Sequence, residues 1–176
     1  MGLLYCGRLR QVMTRLLAPS NFRVPEVLET KKFRLRMLTI HDVVKDYDAV
    51  MTSIDHLQGI FGPRSKWPSK DLTREQDLID LGWHQKESQR RTSFAYTVMS
   101  LNEKTCLGCV YVYPSVKKGF DAEVYMWVRK SAFDKGLDKE LYEAVRNWIE
   151  KEWPFKKVAY PGREISWDDW KKFADL

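Results

Sequence analysis

No apolar run in these 176 residues approaches the roughly 18 that suggest a membrane-spanning helix, so the chain is expected to be soluble and to avoid membranes. Cysteine is scarce. Cys6, Cys106 and Cys109 are an odd number with no secretory signal before them, which points to free thiols and a cytoplasmic setting. Acid is missing from residues 1–25, where Arg8, Arg10, Arg15 and Arg23 carry four of the net +6 charges. The two remaining excess charges are too evenly spread for a nucleic-acid-binding face, though they leave room for a small acidic ligand. There is no internal repeat and no linker. With 44% hydrophobic and 13% aromatic residues the composition argues against disorder, and the length fits one domain.

What is present is periodic. Residues 1–24 read as an amphipathic helical extension, with Leu9, Val12, Met13, Leu16 and Leu17 at helical spacing and Pro19 ending it. Its Arg-rich, acid-free character has a touch of a transit peptide, against the plainer reading of a surface-docked helix. It opens Met-Gly, but Cys6 stands where myristoylation needs Ser or Thr. Residues 25–176 read as a single domain. Phe33, Leu35 and Met37 alternate with Lys32, Arg34 and Arg36, a strand with one buried face. Thr39 and Asp42 open a helix carrying Val43, Val44, Tyr47, Val50, Met51 and Ile54. A turn-rich loop with Gly59, Gly62, Pro63 and Pro68 follows, then a helix over 73–90 with a Thr73/Gln76 capping box.

TSFAYTVM, TCLGCVYVY and DAEVYMWV predict an antiparallel meander. A second helix then buries Leu141, Val145, Trp148 and Ile149, KKVAY is a last strand, and Ser166/Asp169 cap a short tail helix. The order β-α-α-β-β-β-α-β predicts an α/β (α+β) fold with a mixed, mostly antiparallel sheet and helices on both faces. Between the last meander strand and the second helix lies VRKSAFDKGLDKEL, a strand–loop–helix junction holding Gly136. The N-terminus of such a helix offers unpaired N–H groups and the positive end of its dipole to an anion.

That order and that junction resemble the GNAT N-acetyltransferase superfamily. Leu35-Arg36-Met37-Leu38-Thr39 with Asp42 is similar to the family's Leu-Arg-x-Leu-Thr-x-x-Asp opening, and Gly108 lies in the third strand, where the family often has a glycine. Phe133-Asp134-Lys135-Gly136-Leu137-Asp138 aligns with its Gln/Arg-x-x-Gly-x-Gly/Ala pyrophosphate signature. Gly136 matches; Phe133 and Asp138 replace the polar and the second small residue. The resemblance spans roughly residues 28–161.

It implies acetyl-CoA as co-substrate, with its pyrophosphate on the backbone of Phe133 to Lys139 and with Lys135 and Lys139 adding attraction. Trp127 and Val128 would pair with the pantetheine arm at a splayed strand edge. Glu123 would be the general base, and Tyr111, Tyr113 and Tyr125 would line the acceptor site if the aromatic faces of the two strands coincide. The acceptor would be a small-molecule or peptide amine. The family's tyrosine acid and further strands have no counterpart after Tyr160, and the exposed sheet edge would be covered by Trp167, Trp170 and Phe173 or by a second, identical subunit. The alternative is a catalytically inactive GNAT-like module that binds a ligand or a protein.

No metal is expected. Cys106 and Cys109, three apart on a strand, should face opposite ways, and no second Cys or His pair completes a site. His41, His56 and His84 read as surface residues on separate elements, and Trp83, Trp148 and Trp153 as core or interface.

Overall fold

The computed structural model describes residues 16–176. Strands β1 (Val27–Glu29) and β2 (Phe33–Met37) are followed by helices α1 (Val43–Met51), α2 (Ile54–Leu57) and α3 (Arg74–Arg90). The meander is β3 (Phe94–Ser100), β4 (Cys106–Pro114) and β5 (Ala122–Val128). Next come α4 (Lys130–Phe133), α5 (Leu137–Glu152), β6 (Val158–Ala159) and α6 (Trp167–Lys172). The six strands lie side by side in chain order, antiparallel except for the parallel pair β5–β6. Among the described residues no helix is long and apolar enough to cross a membrane.

Strand alternation sends the two faces of the sheet into two cores. On one, Val110, Val124 and Met126 meet the α5 stripe of Leu141, Val145, Trp148 and Ile149, all buried as the spacing predicts. On the other, Ala95, Cys109, Tyr111, Tyr125 and Trp127 meet Ala49 and Val50 of α1 and Leu81 of α3. Each fully buried aliphatic side chain contributes about 1.5–3 kcal/mol, so helices are held on both faces by burial.

The sequence pattern misses three features. β1 is only three residues long, too short for an alternation to register; its partner is β2, through Val27↔Arg36 and Glu29↔Arg34. The first helix breaks before Ile54, because Thr52 Oγ1 turns back to donate to Asp48 O (2.6 Å) and buried Ser53 accepts the Lys130 N–H (2.9 Å). That same bond helps start α4, a helical turn inside the presumed loop. The extension read over residues 1–24 falls mostly outside the described residues. Within them, Leu16–Pro19 is not helical, and Leu17 N–H donates to Arg91 O (2.9 Å) while Ala18 is buried.

A further correction concerns the cysteines. Opposite β4 the register shifts between Val98 and Met99, so Val98 pairs with Gly108 but Met99 with Cys106. A bulge absorbs one residue and reverses the parity. Cys106 and Cys109 therefore enter the same core, beside Asp46.

The opening motif has a physical meaning. Arg36 forks onto Asp42, Nη2 to Oδ1 at 2.7 Å and Nη1 to Oδ2 at 2.9 Å, while Asp42 Oδ2 also accepts the Thr39 N–H (3.0 Å). The turn from β2 into α1 is thus tied to β2 by a bidentate, nearly buried pair. Asp42→Ala should cost about 2 kcal/mol, since it removes both charged bonds of the fork, leaves the guanidinium to Glu103 and the Met37 carbonyl, and opens the turn. Urea denaturation would read this as a lower midpoint, and an unchanged midpoint would remove the pair from the fold's supports.

Candidate active site

β5 and β6 pair only at Ala122↔Val158 and Glu123↔Ala159, and beyond them the strands part. Arg129 N–H donates to Leu107 O (2.8 Å), so the period of two turns the backbones of 125 and 127 toward β4 and those of 126 and 128 toward the open edge. The carbonyls bear this out. Met126 O accepts from Arg163 Nη2 (3.2 Å), and Val128 O lies 3.2 Å from His56 Nε2. Val128 therefore turns its backbone to the open edge. Trp127 does not: its backbone belongs to the β4 ladder and its buried indole Nε1 donates to Tyr111 Oη (3.3 Å). The Met126 backbone faces the open edge instead.

The parted strands leave a cavity of about 270 Å³, lined among others by His56, Tyr125, Phe133, Asp138, Arg163 and Trp167. At one end lies the start of α5. Gly136 is its N-cap, at φ +79°, with no side chain capping the helix and open space where a Cβ would project. Among the described residues no side chain claims the first-turn N–H groups, and the positive φ favours glycine, with Asp and Asn the side chains that tolerate it best. Leu137 is anchored in the core, Lys139 is exposed with Glu143 3.9 Å away, and Phe133 covers His56 at a ring distance of 4.5 Å. Asp134 is turned aside to Lys130 and Lys135 is exposed, so neither side chain caps the helix.

Asp138 carries the charge that most opposes an anion here, and it is matched. Arg163 meets it through Nη2–Oδ1 at 2.7 Å and Nη1–Oδ2 at 2.9 Å. The pair is nearly neutral, so the helix dipole is left to act. Arg163 also reaches the Met126 carbonyl, which puts one side chain across the open edge. Sequence reading gave no role to Arg163. Its only signal was the Pro161–Gly162 turn before it, which marks a reversal but not where the next side chain goes.

Glu123 is buried at the point where β5 and β6 separate and does not line the cavity. Tyr125 does, and its hydroxyl donates to Glu123 Oε2 (2.9 Å). Burial pushes the Glu123 carboxyl up to about 7, against the opposing Tyr125 hydroxyl, the Val116 backbone and Lys117. The aromatic faces do coincide. Tyr111 and Tyr113 stack at 5.9 Å, Tyr113 lies 6.1 Å from Tyr125, and Tyr125 stacks on Trp167 at 6.3 Å. Much of this wall is filled from within by Phe61, against Tyr111 and Tyr125, and by His84, 5.0 Å from Tyr111. Tyr111 and Tyr125 are buried, and Tyr113 is half-buried. His56 and His84, read as surface residues, instead line the cavity and back the tyrosines.

The tail packs beside the start of β5 rather than along the β6 edge. Trp170 and Phe173 pack on Phe120 at 5.4 and 5.1 Å, and Trp167 reaches the cavity.

No protein-family model and no curated protein matches this chain. Solved structures do. A ribosomal L7/L12 alpha-N-protein acetyltransferase in complex with coenzyme A is 14% identical, covers 77% of this chain and 73% of its own, and has a TM-score of 0.62. A Salmonella typhimurium acetyltransferase that modifies the N-terminal serine of L7/L12 gives 14%, 77%, 74% and 0.59. The ribosomal-protein-S5-alanine acetyltransferase of Vibrio fischeri gives 18%, 72%, 68% and 0.57. The fold is that of the GNAT acetyltransferases.

Proposed function

We propose that this chain is an acyl-CoA-dependent N-acyltransferase that uses acetyl-CoA to acetylate a primary amine. The observation that carries the reading is one cavity with two ends. One end is an uncapped helix N-terminus suited to a pyrophosphate. The other is a tyrosine hydrogen-bonded to a carboxylate poised near neutrality.

Acetyl-CoA would supply the activated acyl group. The backbones of Gly136 to Lys139 would hold its phosphates, and the outward groups of Met126 and Val128 would lie along its arm. Arg163 would leave the Met126 carbonyl for this to happen and, while still near Asp138, could turn a donor to the phosphate. Tyr125 Oη would accept a proton from the substrate ammonium as it passes its own to Glu123. This relay leaves a neutral amine as nucleophile and a protonated Glu123. An N-terminal amine of a protein is the acceptor class that the neighbours suggest. The buried tyrosines favour a narrow approach that admits an amine-bearing end over a flat aromatic ligand.

Calorimetric titration with acetyl-CoA tests the phosphate end. Gly136→Asp sets a carboxylate at the N-cap with open space around it, in a residue type that tolerates positive φ. Binding should weaken at least tenfold (order of magnitude, from the lost anion site) while the circular dichroism stays unchanged. No heat from the unaltered chain at millimolar acetyl-CoA would end the acyltransferase reading and leave a binding module without coenzyme.

A further inference from the structure

The bulge in β4 gathers a second set of reactive side chains, away from the cavity. Asp46 of α1, Cys106 and Cys109 are all buried, and their donor atoms lie within 4.8 Å of one another. Cys109 Sγ is 3.1 Å from Asp46 Oδ1 and Cys106 Sγ is 3.8 Å from it. Around a tetrahedral zinc, with Zn–S of about 2.3 Å and Zn–O of about 2.1 Å, neighbouring sulfur and oxygen ligands stand about 3.6 Å apart. The two observed distances bracket that edge.

The charges in this core are also one-sided. Among the described residues Asp46 forms no ion pair, and its hydrogen-bond donors are the two thiols, which are weak ones. Asp77 of α3, within reach of the Asp46 charge, has a buried Oδ2 with no hydrogen-bond partner. Buried carboxylates ordinarily take a proton or a cation. Two sulfurs beside them select a thiophilic cation over a hard one. Met99 Sδ and Cys106 Sγ both lie against Thr97 Oγ1, at 3.5 and 3.6 Å, so further soft and oxygen donors border the cluster.

We propose that Cys106, Cys109 and Asp46 form a binding site for one thiophilic divalent metal ion, zinc by its ligand set, between α1 and β4. Binding displaces the two thiol protons to solvent, so that two thiolates and one carboxylate meet the 2+ charge. Such an ion would tie α1 to the sheet beneath Tyr111, without touching the cavity.

The test uses the full chain carrying Cys6→Ser, which removes the one other thiol. The reduced protein is unfolded in denaturant and refolded with cadmium, so that burial does not bar entry. A thiolate-to-cadmium charge-transfer band that saturates at about one equivalent is expected. Zinc content should approach one per chain after expression in zinc-supplemented medium. Cys109→Ser and Asp46→Asn should each lower cadmium affinity at least tenfold (order of magnitude). If a variant does not fold, the parent's stoichiometry and zinc content decide alone. Absence of the band together with zinc below a tenth of an equivalent would overturn the site, as would a band that persists undiminished in folded Cys109→Ser.

Discussion

Glu123→Gln should lower kcat/KM for amine acetylation by about 10²–10⁴-fold, the usual contribution of a positioned base. Gln keeps the shape and can accept the Tyr125 hydrogen bond, but it cannot take the proton. The pH profile separates this role from a packing defect. With the carboxyl pushed up to about 7 by burial, activity should rise with pH through about 7 in the parent, and that limb should vanish in the variant. Stability supplies a second readout of opposite sign. The folded state holds the Glu123 proton more tightly than the unfolded chain does. Stability should therefore fall as pH rises from 4.5 to about 7, and Gln should flatten this slope. Tyr125→Phe should share the loss of rate, because it cuts the hydrogen bond that joins Glu123 to a cavity-lining side chain. A full rate in Glu123→Gln would dismiss the relay while leaving the acetyl-CoA site to stand on its own titration.

The second large effect is on folding. Gly108 faces Val128 in the β4–β5 register, and a Cβ there would lie 1.9 Å from the Trp127 carbonyl oxygen and 2.9 Å from the Val128 Cα. Both obstacles are backbone, so no rotamer change relieves them. Gly108→Ala should cost about 3 kcal/mol, the upper end for overpacking, and push β5, which lines the cavity, away from β4. Chemical denaturation should show a sharply lower midpoint, and acetyl-CoA binding should weaken with it. A loss under 1 kcal/mol would mean that the strands can separate there at little cost, and that the glycine is not what sets their approach.

Much of the architecture was legible because it rests on local periodicity. Phe33 and Leu35, the stripe from Leu141 to Ile149, and the Thr73/Gln76 cap each depend on residues a few positions apart, and each is found where the spacing puts it. The aromatic faces of β4 and β5 also coincide, because antiparallel partners share a face. The site was legible only in outline. Glu123, Tyr125 and Gly136 belong to one region of the fold, yet Glu123 does not line the cavity and is joined to it by the Tyr125 hydroxyl. At the open edge the structure turns out the backbone of Met126 where that of Trp127 was expected, since parity along a strand is fixed by the partner strand.

By itself the sequence determined which faces are apolar, where helices begin, and that a glycine precedes the helix at 137. Those are matters of side-chain period and backbone freedom, which a short window contains. The tertiary structure alone decided that a one-residue bulge brings Cys106 and Cys109 together, and that Arg163 reaches 25 positions back to Asp138. Neither follows from spacing, because each is set by which distant strand or turn the fold lays alongside.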